Sequence, residues 1–373
     1  MTAMQTIDLS VRNLGVYDLG PYGCLPTNPL RRLSEPFEIF EQIADNLPSL
    51  NNSKQTRIVV NKLPPFPYNQ LQDMELKRAH LVLGLLAHSY VWCDKDNVID
   101  YIPENIAVAF WRVSKRMGVK PILTYSDVIL NNYALNGREF CIENLTCLNT
   151  MTGTNDEKWF YLVHVYIEYE AAPIIKGLLD VYHDTTRDTV SRVLGVIKRQ
   201  LGKIIGILNR MREQCDPVTF FGIIRLYLHG WDNENFPDGI CYRGINNNQY
   251  VKLVGGSGAQ TAIFQIIDAS LGITHTSDYF VKVLKYMPQG HRYFIAFVRH
   301  NINLRTIVET MPSDELNELL NGCVNMLSSF RKHHTAATQQ YIVKHLPKPS
   351  DEASGSGATP FQKFLKQVLD ETK

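Results

Sequence analysis

Beyond residue 70, apolar positions recur every three to four residues over most of the chain, which is the period of an amphipathic helix. "QLQDMELKRAHLVLGLLAHSYVW" (70–92) predicts a strong helix, and "YIPENIAVAFWRVSKRMG" (101–118) a second with Pro103 near its first turn. "ILTYSDVILNNYAL" (122–135) reads as a further helix. "EKWFYLVHVYIEYEAA" (157–172) is apolar almost all round, as a buried central helix is, and Pro173 should end or kink it. "DTVSRVLGVIKRQLGKIIGILNRMREQC" (188–215) is long and amphipathic. "DPVTFFGIIRLYLHGW" (216–231) opens on Asp-Pro, a helix start, and stops at Gly230. The same period predicts helices at 277–286, 288–299, 313–320 and 321–345, and a last one in "FQKFLKQVLDE" (361–371).

Elsewhere the pattern breaks. Residues 1 to about 70 are proline-rich and irregular, with a short helix near 36–47. "NGREFCIENLTCLNTMTGTND" (136–156) alternates between turn residues and apolar ones, which predicts a short hairpin. About 25 residues from Asp232 read as loop, and so long a loop inside a compact domain usually has a job. "PKPSDEASGSGATP" (347–360) is of flexible, low-complexity type. The expected architecture is all-α: a smaller mixed N-terminal domain, 1–150, and a large helical domain, 151–373.

Composition narrows the function. The chain has 373 residues, 45% hydrophobic and 20% charged, with net charge +1. That balance gives no electrostatic footprint for nucleic acid or an acidic membrane surface. The seven cysteines are scattered and form no CxxC pair, so neither a zinc ribbon nor a disulfide scaffold is expected, and a reducing cytosol fits. No apolar run is long enough for a membrane span, and the N-terminus lacks a signal-peptide core.

Candidate chemistry lies where polar residues interrupt apolar faces. In "SSFRKHHTAATQQYIV" (328–343) two histidines adjoin. With Cys323 at zero and about 100° per residue, His334 falls at about 20°, inside the stripe of Leu327, Phe330, Ala337 and Tyr341, and His333 at about −80°, on its edge. His334 therefore faces inward, either as a core histidine bonded to a carbonyl or as a haem or metal ligand. His164 is the lone polar group in "WFYLVHVYI", one turn after Phe160; a buried imidazole needs a partner, so it reads as a core histidine bonded to a backbone carbonyl or as a group that serves a site. Arg225, in "FFGIIRLYL" one turn after Phe221, is a structural ion pair, a snorkelling side chain or the anchor of a carboxylate-bearing aromatic ligand. "GGSG" (255–258) is no dinucleotide fingerprint; it is a plain turn or a set of amides facing a ligand. Asp268 and Arg331 sit on predicted helices beside these candidates; both read as surface charges, or Arg331 as the partner of a haem propionate.

In this order, "LPPFPYNQL", "CDPVTFFGIIRLYLHGW", "GGSGAQTAIFQIID", "YMPQGHRYF" and "SSFRKHHTAATQQYI" resemble the indoleamine 2,3-dioxygenases over nearly the whole chain. These are haem enzymes that open the indole ring of tryptophan. The resemblance implies haem b between two domains, with L-tryptophan or a related indoleamine and O2 as substrates, C2–C3 cleavage to N-formylkynurenine, and a cellular reductant. A cytoplasmic monomer is the expected form. By position, His334 matches the iron ligand, Arg331 an arginine near a haem propionate, Asp268 the aspartate that holds that arginine, and Phe264 a residue on the haem side. Phe220, Phe221 and Arg225 match residues that enclose the indole and bind the carboxylate, and Tyr125 and Phe160 match pocket aromatics. Gly256 and Ser257 match loop residues at the haem edge, and Thr359 a threonine on a closing loop.

Three departures bear on the pocket. His164 stands where mammalian members have serine, Val128 where they have cysteine, and Gly258 where they have alanine. In the more distant tryptophan 2,3-dioxygenases a distal histidine meets the indole N–H. His164 takes that role or bonds to bound oxygen. Some molluscan members serve as oxygen-binding myoglobins, which makes oxygen storage the second reading and a haem sensor the third.

Overall fold

In the computed structural model, residues 11–346 and 361–372 are described. Helix α1 (Glu38–Asn52) packs against α2 (Leu76–Trp92), which is buried at every position but Lys77. Helix α3 (Glu104–Met117) covers the other side of α2 and closes on Gly118, whose φ of +66° is a left-handed cap that glycine adopts without a Cβ clash. The two long helices of the remainder, α4 (Asn155–His183) and α5 (Arg187–Asn209), lie side by side. Helix α6 (Ala262–Ser270) rests on α7 (Gln289–Asn301), and α8 (Asp314–Tyr341) packs along α5 and receives the C-terminal helix α9 (Phe361–Asp370). Of the described residues 64% are helical and 6% lie in strands, as the all-α expectation requires.

Several elements depart from the sequence reading. Helix α4 runs through Pro173 to His183. One missing backbone hydrogen bond is outweighed by packing along the helix, where Gly177 lets Val193 of α5 approach within 3.2 Å of a Cβ position. The stretch at 122–135 is not one helix: a single wide turn, Ser126–Leu130, leads into strand β2 (Tyr133–Leu135), which pairs antiparallel with β3 (Leu145–Cys147). The hairpin expected within 136–156 has only its second strand there; the first, β2, lies wholly before it, in the stretch expected as helix. The stretch after Asp232, expected as loop, folds into β4 (Ile240–Tyr242) and β5 (Tyr250–Val251), with β4 parallel to β1 (Tyr101–Ile102). The two helices expected at 313–345 are the single α8 followed by a short turn, Val343–His345.

Candidate functional site

One cavity gathers both candidate histidines and the candidate arginine. Helix α4 contributes Phe160 and His164, the short helix after Asp216 contributes Phe220 and Arg225, and α8 contributes His334 and Tyr341. Residues 256–259 form one wall, and Phe361 and Phe364 of α9 another. Counted out to its open mouth, the space is about 1090 Å³.

The two adjacent histidines part as their helical phase predicts. His333 is exposed and donates from Nδ1 to the Ser329 carbonyl at 2.9 Å. His334 lines the cavity, and burial, followed by the nearness of His164, holds its pKa down at about 4. The ring is thus a neutral imidazole at physiological pH, the form that binds a metal. Among the described residues no three His, Cys, Asp or Glu side chains converge on a metal site. A single imidazole on a largely apolar wall suits iron carried by its own macrocycle.

His164 is bonded to a backbone carbonyl, as a core histidine would be, and it also lines the cavity. Its Nδ1 lies 2.8 Å from the Phe160 carbonyl, which can only accept, so Nδ1 carries the proton. Burial lowers the pKa, so the ring is neutral and Nε2 holds a bare lone pair. Phe160 stands 4.6 Å from the His164 ring and 4.9 Å from Phe220, and Phe220 meets Tyr341 edge-on at 5.7 Å, which makes a continuous aromatic wall.

Local sequence positions the arginine. Asp216 caps the turn by accepting from the Thr219 N–H at 2.8 Å, with Pro217 at the first helical position. A wide π-type turn, Phe220–Ile224, then carries Phe220 and Arg225 onto the cavity. Arg225 is 7% exposed, so it does not snorkel. Burial lowers its pKa to about 10, which leaves it a cation. Phe221 does not line the cavity; its ring backs the Arg225 guanidinium at 5.3 Å.

The glycine run is built for close approach. A Cβ on Gly255 would stand 2.2 Å from the Leu228 carbonyl oxygen, and one on Gly230 would stand 2.2 Å from the Gly255 nitrogen. Ser257 accepts from the Ala259 N–H at 3.3 Å and caps the turn that follows. A Cβ on Gly258 would meet nothing within 4 Å, so alanine would fit there and glycine only widens the cavity. Val128 is a core residue outside the lining.

Other residues from the sequence reading stand behind the wall. Tyr125 donates its hydroxyl to Glu168 at 2.9 Å. Phe264 stacks on Phe330 at 4.1 Å, and Phe330 in turn lies 6.2 Å from the His334 ring. Arg331 donates to both oxygens of Asp268, at 2.6 and 2.7 Å, and to the Val368 carbonyl of α9 at 3.3 Å. Thr359 lies outside the described residues.

Sequence reasoning misses His275 and Glu371. The His275 ring places Nε2 3.0 Å from Asp268 and Nδ1 2.7 Å from Glu371, which ties α9 to α6. Burial pulls the His275 pKa down, but the bonds to Asp268 and Glu371 outweigh it, and the net shift is upward. Burial likewise opposes ionisation of Glu371, yet bonds from Thr276, Gln367 and His275 bring it to about 2. The histidine's contribution is therefore full below its ordinary 6.5 and is lost as pH rises through the raised value. The glutamate's is full above 4.5 and is lost as pH falls through about 2. Amide exchange in α9, corrected for intrinsic rate, should be slowest between these limits; flat protection from mildly acidic to alkaline pH would refute the tie.

The family model for indoleamine 2,3-dioxygenase matches residues 13–373. The chain belongs to the indoleamine 2,3-dioxygenase family. It is 34% identical to indoleamine 2,3-dioxygenase 1 of Mus musculus, over 93% of this chain and 91% of the relative. It is 30% identical to indoleamine 2,3-dioxygenase 2 of Homo sapiens, over 94% and 92%. A protein named myoglobin from Haliotis diversicolor is 27% identical, over 91% and 92%. As an indoleamine 2,3-dioxygenase, the chain is an oxidoreductase that binds haem b and opens the indole ring of L-tryptophan with O2. Among the described residues no helix is long and apolar enough to cross a membrane.

Proposed function

We propose that this chain binds haem through His334 and orients L-tryptophan with Arg225, Phe160, Phe220 and His164. Haem, when bound, supplies the iron at which dioxygen is activated. The protein's part is to position and to exclude water. The Arg225 guanidinium takes the substrate carboxylate by a charge-assisted fork. Phe160 and Phe220 flank the indole. His164, with its proton held at Nδ1 by Phe160, offers Nε2 to the indole N–H.

The observation that carries this reading is one cavity holding a buried cation and a histidine of fixed tautomer. That tautomer disfavours oxygen storage. A distal histidine that stabilises bound oxygen must donate to it, and here Nε2 can only accept. An oxygen carrier also has no use for Arg225. The seven free cysteines support a reducing cytosol, where a cellular reductant would serve the enzyme, and the chain is read as a monomer. In this reading residues 1–150 cover the distal pocket.

Steady near-ultraviolet absorbance of N-formylkynurenine from the reduced, aerated protein and L-tryptophan is the expected outcome; a stable oxygenated spectrum without product would turn the reading to oxygen binding. The role of His164 has its own test. Methylating the indole nitrogen removes the donor and leaves a buried acceptor unmet, which costs roughly 1–3 kcal/mol, or about 5- to 150-fold in kcat/KM. The His164→Phe variant should lose that discrimination between L-tryptophan and its N1-methyl analogue. An equal ratio in the two proteins would remove the bond.

A further inference from the structure

Glu168 lies one turn beyond His164 on the same side of α4 and is 2% exposed. Its Oε1 accepts two hydroxyls, from Tyr125 at 2.9 Å and from Thr261. Its Oε2 is enclosed and meets no partner among the described residues. No cation adjoins it among its hydrogen-bond partners, and burial pushes its pKa up. A buried carboxyl so placed costs stability unless the fold uses it.

Both donors lead to the cavity's glycine wall. Thr261 follows the 255–260 segment and caps α6, accepting from the Ile263 N–H at 3.3 Å while it donates to Glu168. The Tyr125 N–H donates to Gln260 Oε1 at 2.9 Å, and Gln260 Nε2 donates to the Gly255 carbonyl at 2.8 Å. The wall that presents Gly256 and Ser257 is thus held from behind at the residues that flank it, Gly255 and Thr261. Both ties converge on one carboxyl of the helix that carries Phe160 and His164.

We infer that Glu168 is a positioning residue for substrate binding: through Thr261 and Tyr125 it sets the distance between the glycine wall and the aromatic wall of α4. It touches neither substrate nor haem. The inference rests on the reading that L-tryptophan occupies this cavity.

The test is the dissociation constant for L-tryptophan, read from the haem spectrum of the ferric holoprotein, beside KM and kcat. Glu168→Leu keeps the bulk and removes the acceptor; it should weaken L-tryptophan binding about tenfold at unchanged haem occupancy, the loss of one to two buried hydrogen bonds. Glu168→Gln, which keeps Oε1 for both hydroxyls, should restore most of that affinity. Thr261→Val should lose part of it, and Glu168→Leu with Thr261→Val should be no worse than Glu168→Leu alone, because both act on one contact. Wild-type affinity in Glu168→Leu, or full additivity in the double variant, would overturn the inference. If Glu168→Leu fails to load haem, Thr261→Val decides by itself, and unchanged affinity there would overturn it. A wild type that binds L-tryptophan without turning it over would end the dioxygenase reading and leave the affinity comparison standing.

Discussion

His334→Ala should yield a folded protein that does not retain haem. The reason is a neutral imidazole facing an apolar cavity in which no cluster of other metal-binding side chains is found among the described residues. Removing an outer-shell partner of a metal ligand typically costs 10- to 100-fold in affinity, so removing the ligand itself should cost at least about 100-fold. The control is His333→Ala, one residue away but exposed, which should keep haem and its spectrum. Added imidazole should partly restore the His334→Ala spectrum by entering the space the ring vacates. Haem content by absorbance, together with thermal unfolding, separates lost ligation from lost folding. A His334→Ala protein with full occupancy and an unaltered spectrum would place the ligand elsewhere.

That histidine is legible in the sequence because its placement is a local matter. Whether a side chain on a long helix faces inward depends on phase, and the stripe from Cys323 to Tyr341 is enough to choose His334 over His333. The Asp216-Pro217 start is legible for the same reason, since a cap acts within one turn. Pro173 misleads because its penalty is a fixed few kcal/mol, whereas the packing that offsets it comes from α5, outside the local window. Strands β4 and β5 escape because each is only two or three residues long and one partner, β1, lies far back in the chain.

The site divides along the same line. Among the side chains that reach the cavity from helices, Phe361 and Phe364 of α9 do not stand out in the sequence, whereas Phe160, His164, Phe220, Arg225 and His334 do, as breaks in an apolar face or as its aromatic neighbours. The groups that hold them do not. Glu168, Gln260, His275 and Glu371 act mainly through partners 5 to 135 positions away, and no periodicity carries those pairings. One signal exists for Glu168, a second polar residue one turn after His164 on a helix that reads as buried all round. The resemblance to a known family places Arg331 near haem with Asp268 holding it; the Arg331–Asp268 pair is present, and a bond to the C-terminal helix joins it.

Arg225 is where the largest change in substrate binding is expected. A carboxylate held by two charge-assisted hydrogen bonds, each worth about 1.5–3 kcal/mol, loses roughly 3–6 kcal/mol when the fork is removed. Arg225→Ala should therefore raise KM for L-tryptophan at least about 100-fold. Lysine keeps the charge but not the planar fork, so Arg225→Lys should recover only part. With its pKa near 10, the wild-type guanidinium is charged across the neutral range, and affinity for the carboxylate should fall only as pH approaches that value. Tryptamine separates a clamp from a scaffold. It has the indole and amine of tryptophan and lacks the carboxylate, so Arg225→Ala should leave its weak turnover nearly unchanged and close the gap between the two substrates. If tryptamine suffers as much as L-tryptophan, Arg225 supports the wide turn that carries Phe220 rather than the substrate. If KM for L-tryptophan does not move, the carboxylate is held by another group.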